Sequence, residues 1–241
     1  AERVTVLTGA GISTDSGIPD FRGPQGVWTK NPLAERTASL EHYLSDPEVR
    51  RLSWRNRLGS PAWTAEPNEG HRALVALEKQ GRLRALLTQN IGELHQRAGN
   101  DPSKVVELHG TMHHALCWEC GGRWPMLAIL ERVSAGEEDP PCERCGGILK
   151  SATISFGQAL DPTTLVRADE AARDCDVFLA VGSTLSVHPA AGYVPVAKGA
   201  RAAVVIVNAE PTAYDDLADV VIRGSISTIL PELISASSGH P

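Results

Sequence analysis

The sequence predicts an α/β fold in which a parallel sheet is covered by helices on both faces and interrupted by a smaller part. Three observations carry this reading. Short continuous apolar runs such as Val177–Val181 and Ala203–Val207 alternate with amphipathic segments, the pattern of strands buried on both faces of a parallel sheet. Glycine (22) and proline (16) are plentiful and aromatics make up only 5%, which suits tight turns better than an aromatic-rich sandwich. At 241 residues the chain is long enough for one large domain, or one domain with an insert.

The elements follow in order. Arg3–Thr8 reads as a buried strand through Val4, Val6 and Leu7, stopped by Gly9. Residues 24–67 differ in character, with Pro24, Pro32, Pro47, Pro61 and Pro67 and three of the five tryptophans, Trp28, Trp54 and Trp63. Within them Asp46 caps a helix that has Pro47 at its first position and runs to Leu58 before Gly59. Asn68 caps the next helix, whose buried face is His71, Leu74, Val75 and Leu77, and Gly81 closes it. Leu83–Thr88 reads as a strand, followed by the polar turn Gln89–Asn90 and a short helix to Ala98. Strands are expected at Val105–Leu108, Ile154–Phe156, Val177–Val181, Ala203–Val207 and Val220–Ile222, and helices at Leu165–Arg173 and Ser227–Ser235. In parallel sheets ligands sit beyond the carboxyl ends of the strands, where Gly9, Gln89, His109, Gly182 and Asn208 fall.

Charge and hydropathy exclude other classes. A net charge of −6 is unsuited to a nucleic-acid binder, which needs a basic face. Apolar runs such as Ala202–Val207 are far short of the ~18 residues that a membrane span requires.

Two motifs carry chemistry. Gly9-Ala10-Gly11-Ile12-Ser13 follows the first strand, where glycines let backbone N–H groups approach a pyrophosphate. The next glycine, Gly17, is too far along for the usual dinucleotide fingerprint, which argues against a dehydrogenase. Cys117-x-x-Cys120 and Cys142-x-x-Cys145 have zinc-ribbon spacing. Each pair puts two thiolates on one turn, Gly121-Gly122 and Gly146-Gly147 let the chain bend, and four thiolates leave no open position. One structural Zn²⁺ is expected there, with Cys175 a core thiol.

Taken together, the segments Gly9–Ser13, Gly17-Ile18-Pro19-Asp20-Phe21-Arg22-Gly23, Gln89-Asn90-Ile91, Leu108-His109-Gly110, the two cysteine pairs, Phe156-Gly157, Gly182-Ser183-Thr184 and Asn208 resemble the sirtuins, NAD-dependent protein-lysine deacylases, over nearly the whole chain. The resemblance implies a Rossmann-like parallel sheet domain (1–23, 68–111, 152–241) with a smaller inserted zinc-binding and helical domain (24–67 and 112–151). It implies that NAD, consumed as a co-substrate, is held by Gly9, Ala10, Gly11, Ile12, Pro19, Asp20, Phe21 and Arg22, with residues 13–20 a flexible loop over it. Gln89, Asn90 and Ile91 would line the ribose and nicotinamide side. Gly182, Ser183, Thr184, Asn208, Glu210, Ser225 and Ile226 would take the adenosine half. An acyl-lysine peptide would add as a strand between Ser155-Phe156-Gly157 and Ser186-Val187. His109 would be the general base, assisted by Asn90. In the implied reaction the acyl oxygen displaces nicotinamide from the ribose, His109 takes a proton from the ribose hydroxyls, and lysine and O-acyl-ADP-ribose are released.

The sequence departs from the family in one place. The run Asn90-Ile91-Gly92-Glu93-Leu94-His95 has Gly92 where sirtuins carry an aspartate that accepts a hydrogen bond from the nicotinamide carboxamide. Weakened deacylation, ADP-ribosyl transfer or a silent NAD- and acyl-lysine-binding module would each fit this change. The acyl preference is open as well. Removers of acidic acyl groups carry Tyr-x-x-Arg on the helical module, and here Trp54 and Arg57 hold that spacing. No basic-then-apolar run opens the sequence, and thiolates committed to zinc fit a reducing interior. The expectation is a cytoplasmic monomer that acts on acyl-lysine proteins, with no nucleic-acid or membrane contact.

Overall fold

The computed structural model describes residues 1–21, 23, 26–30 and 32–236. In chain order its elements are β1 (Val4–Thr8), α1 (Val27–Lys30), α2 (Leu40–Ser45), α3 (Pro47–Leu58), α4 (Glu69–Lys79), β2 (Leu83–Thr88), α5 (Leu94–Ala98), β3 (Val105–Glu107), β4 (Gly110–Cys117), β5 (Arg123–Pro125) and α6 (Met126–Ser134). They continue with β6 (Leu149–Thr153), α7 (Pro162–Arg173), β7 (Val177–Val181), α8 (Tyr193–Gly199), β8 (Ala203–Val207), β9 (Val220–Ile222) and α9 (Ile226–Ala236). A tight helical turn covers Ala10–Ser16, where an open loop was expected from residue 13 onward.

Six strands form one sheet in the order β3-β2-β1-β7-β8-β9, and every pairing in it is parallel. This is a Rossmann-like sheet, and its order reverses at the junction of β1 and β7. The two-residue strand period sorts its side chains. Leu7, Phe178, Ala180, Val204 and Ile206 pack with α7 and α8 on one face. Val4, Val6, Leu179, Val181 and Val207 pack with Leu74 and Leu77 of α4 and Leu230 and Ile234 of α9 on the other.

A second, antiparallel sheet has the order β5-β4-β6. Its core joins Ala115, Cys117, Met126, Ile129 and Leu149 to Trp54 of α3, so the helical segment and the cysteine-bearing segment share one apolar cluster.

Helix starts follow the capping residues. The Asp46 carboxylate accepts from Glu48 N at 2.9 Å with Pro47 at the first position. Asn68 Oδ1 accepts from Gly70 N at 2.9 Å and His71 N at 3.4 Å. The strand expected at Ile154–Phe156 lies earlier, at β6. Beyond Thr153, Gln158 N returns to Ser155 O at 3.0 Å and Gly157 takes φ +84°, a turn that no strand can continue through. Helix α6 begins beside Pro125, inside a stretch whose sequence predicts paired cysteines and the acidic loop 136–141 but no helix.

Candidate active site and metal centre

The carboxyl ends of β1, β2, β7 and β8 open into a cavity of 1140 Å³ that reaches across to α3 and β6. Its floor is a meeting of three glycines. Gly9 N donates to Val181 O at 3.0 Å and Gly11 N to Gly182 O at 2.8 Å. A methyl group at Gly9 would lie 2.6 Å from Gly182 O, and one at Gly11 2.8 Å from Gly182 Cα. Only glycine permits β1 and β7 to end so close together, and this brings side-chain-free backbone to the cavity lining at the switch point where a dinucleotide would lie. The cradle therefore suits NAD by its shape as well as its position.

Polar side chains converge above it. Gln89 Nε2 donates to Ser183 Oγ at 2.9 Å, bridging the ends of β2 and β7. Asn90 Nδ2 donates to Gly9 O at 3.0 Å, and the Asn90 amide donates to Thr88 Oγ1 at 3.1 Å. His109, just after β3, lies with Nδ1 3.2 Å from Gln89 O. A carbonyl only accepts, so Nδ1 carries the ring proton and Nε2 keeps its lone pair. Burial lowers the His109 pKa from its ordinary 6.5, opposed by that backbone hydrogen bond. The imidazole is thus neutral near pH 7 and able to take a proton at Nε2.

The cavity is lined by Gly9, Ala10, Gly11, Pro19, Asp20, Phe21, Gln89, Asn90, Ile91 and His109 on one side. Ser155, Phe156, Gly157, Gly182, Ser183, Thr184, Val187, Asn208, Glu210, Ser225 and Ile226 line it as well. Three expected residues fall elsewhere. Ile12 is 1% exposed and packs into the sheet core, because the tight turn aims it inward. Ser186 is exposed outside the cavity, its Oγ 2.8 Å from Thr184 Oγ1. Trp54 is 1% exposed in the α3–β4 core, so of the Trp54–Arg57 pair only Arg57 reaches the cavity. Arg22 lies outside the described residues. At the edge expected to take a peptide, Phe156 already donates to Ala38 O at 2.8 Å and accepts from Leu40 N at 2.9 Å.

The four cysteines come together, with all sulfurs within 4.8 Å of one another. Cys117 and Cys145 Sγ are 3.5 Å apart, and Cys120 and Cys142 Sγ are 3.7 Å apart. Tetrahedral zinc with bonds of about 2.3 Å requires sulfurs about 3.8 Å apart. The two turns repeat each other: Cys117 N donates to Gly122 O and Cys142 N to Gly147 O, both at 2.8 Å, with Gly121 and Gly146 at positive φ. The donor set fits a structural zinc. Cys175 stands apart, buried, with Sγ 3.4 Å from Ala172 O.

The Sir2 family profile matches residues 9–189, a span that includes the glycine cradle, His109 and all four zinc-type cysteines. This chain belongs to the Sir2 family. It is 53% identical to NAD-dependent protein deacetylase 2 of Streptomyces coelicolor over 231 residues, 96% of each chain. It is 41% identical to NAD-dependent protein deacylase 2 of Archaeoglobus fulgidus, covering 97% of this chain and 90% of the relative. A solved complex described as Sir2-p53 peptide-NAD+ superimposes with a TM-score of 0.86 at 31% identity, covering 98% of this chain and 93% of that one.

Against this Sir2 frame, two features of the site were not visible in the sequence. Lys150 of β6 is buried and lines the cavity, its Nζ donating to Ser151 O at 3.2 Å and Thr153 O at 2.5 Å. Burial, with Arg57 adding to it, lowers its pKa to about 7. Arg57 itself makes no hydrogen bond or ion pair through its guanidinium among the described residues. Only a fold that brings α3 against β6 reveals the pair. The second is how Glu93 is engaged, the carboxylate that the sequence places beside Gly92 as a weak candidate to replace the missing aspartate. Its Oε1 accepts from Thr111 Oγ1 at 2.8 Å and its Oε2 lies 3.8 Å from His113 Nε2.

Proposed function

We propose that this chain removes acyl groups from protein lysines with consumption of NAD, yielding nicotinamide and O-acyl-ADP-ribose. The observation that carries the reading is His109, a neutral imidazole with Nδ1 anchored on Gln89 O and Nε2 available at the edge of a glycine cradle. NAD supplies the ribose carbon at which the acyl oxygen replaces nicotinamide.

In this reading Gln89 and Asn90 fix the ribose end of the cavity, and Asn208, Ser183 and Ser225 take the adenosine end. His109 Nε2 accepts the proton from a ribose hydroxyl. The Rossmann-like part comprises residues 1–23, 68–111 and 152–241, and the part from 24–67 and 112–151 closes the opposite wall. Cys117, Cys120, Cys142 and Cys145 would hold zinc as a cross-link of that wall, remote from the chemistry. Support comes from the family membership, from relatives named as deacetylases and deacylases, and from the residues lining the cavity.

No helix among the described residues is long and apolar enough to cross a membrane. The thiolate site supports a reducing compartment such as the cytoplasm, and the acidic balance supports action on lysine-bearing proteins rather than on nucleic acid. Nicotinamide release from NAD, with and without an acetyl-lysine peptide, tests the reading: the peptide must be required. Peptide-independent labelling of a protein by NAD would favour ADP-ribosyl transfer instead.

Arg57 and Lys150 favour a second reading for the acyl group. The Arg57 guanidinium and the Lys150 amine, which can gain its proton beside an anion, line one cavity with no carboxylate paired to either among the described residues, an arrangement that suits an acyl chain ending in a carboxylate. Turnover of succinyl-lysine peptide equal to or above that of acetyl-lysine peptide would support it. Turnover of the acetyl peptide alone would reject it.

A further inference from the structure

The tight turn Ala10–Ser16 covers the glycine cradle, and one residue outside the cavity lining holds it there. Asn68 Nδ2 donates to Ile12 O at 2.8 Å and to Ser16 Oγ at 2.9 Å. The same side chain caps α4 through Oδ1, which accepts from Gly70 N. The two ends of one amide therefore serve two structures, the helix start and the turn.

One helical turn further on, His71 continues the connection. His71 Nδ1 lies 3.3 Å from Asn68 N and 3.1 Å from Asn68 Oδ1, and Nε2 faces Ser13 Oγ at 3.4 Å. Ser13 Oγ in turn accepts from Asn90 Nδ2 at 3.4 Å. His71 is fully buried, and burial brings its pKa down to about 4, which keeps the ring neutral. Packing reinforces the contact: a methyl group at Gly70 would lie 3.2 Å from Ile226 Cγ2 and 3.4 Å from Ile12 Cγ1.

We infer that Asn68 is a positioning residue for NAD: through its amide nitrogen it sets the Ala10–Ser16 turn over the cradle and, by way of His71 and Ser13, the orientation of Asn90. The inference rests on the proposed NAD-dependent reading. It assigns a binding role to a side chain that would otherwise pass as a helix cap.

The cap and the clamp use different atoms, so they can be separated. Asn68→Ser retains an oxygen that can cap α4 and loses the donor to Ile12 and Ser16. Asn68→Asp keeps the carboxyl-type cap, favoured at a helix N-terminus, and also lacks the donor. Each variant is titrated with NAD by calorimetry and melted in parallel with the wild type. The expected result is about a tenfold weaker NAD affinity for losing two hydrogen bonds, with the melting temperature held within about 3 °C. Unchanged NAD affinity in both variants would overturn the inference. A loss of affinity accompanied by an equal collapse of melting temperature in both would also overturn it, since Asn68 would then be a cap alone. Failure of the wild-type chain to bind NAD would refute the underlying functional reading, a separate outcome visible in the same titration.

Discussion

The Nδ1 atom of His109 lies 3.2 Å from the carbonyl oxygen of Gln89, and this contact sets which imidazole nitrogen is free to act as a base. Gln89 also bridges to Ser183, so the residue that orients the His109 ring belongs to the wall that would hold the dinucleotide. Replacing His109 by Gln keeps a polar group of similar reach but no base. The expected outcome is a fall in peptide-dependent nicotinamide release of at least about a hundredfold, with NAD affinity retained in calorimetry. The wild-type pH–rate profile should have its acid limb below 6.5, because burial lowers the His109 pKa.

Gly92 is the second place where geometry decides an outcome. A methyl group there would meet only Met112 Sδ, at 3.8 Å, so the position accepts a side chain without strain. Glu93 does not supply a spare carboxylate, because Thr111 engages one of its oxygens and His113 faces the other. Gly92→Asp should lower the KM for NAD about tenfold, the scale of one regained charge-assisted hydrogen bond, while Gly92→Ala should leave it unchanged. Steady-state kinetics at varied NAD checks both. An unchanged KM in the aspartate variant would mean that Gly92 is not limiting.

The reach of sequence reasoning differs between sheet and insert. Strands Leu83–Thr88, Val177–Val181 and Ala203–Val207 are legible to the residue, since short, mainly apolar runs between turn signals have few other uses. The cysteine pairs were legible from spacing alone, and their sulfurs converge as that spacing implies. Residues 154–156 misled because Ile154 and Phe156 alternate with Ser155 in a strand-like pattern just before a turn set by Gly157. Ile12 misled because a motif position does not say which way a tight turn aims its side chain. The proximity of Arg57 and Lys150 is a tertiary fact, carried by no local pattern in a chain where 93 residues separate them.

Metal removal should act on stability rather than on chemistry. Cys117, Cys120, Cys142 and Cys145 close one apolar cluster with Trp54, Met126 and Leu149. Cys142→Ala, or chelation, should abolish stoichiometric zinc in elemental analysis and lower the melting temperature by 10 °C or more, on the order expected when a structural metal is lost. A chain that keeps its melting temperature without metal would contradict a structural role.

Acid should destabilise the fold ahead of most carboxylate titration. Burial lowers His71 to about 4 and His95 to about 3, from an ordinary 6.5. Between those values the unfolded chain binds more protons than the folded one, so stability falls as pH drops from about 6.5 to about 4. Each histidine contributes up to about 1.4 kcal/mol per pH unit in that window. Glu107, raised to about 7 mainly by burial with Glu93 adding to it, acts in the opposite sense between 4.5 and 7. Denaturant melts across this range should therefore steepen with pH in Glu107→Gln and flatten in His95→Asn.

The central claim is that NAD is consumed to move an acyl group from lysine to ADP-ribose in the cavity around His109. Mass spectrometry of a reaction containing NAD and an acetyl-lysine peptide tests it most directly. Equal amounts of nicotinamide, deacetylated peptide and O-acetyl-ADP-ribose are predicted. Nicotinamide release without acetyl-ADP-ribose, or free acetate formed without NAD consumption, would contradict it.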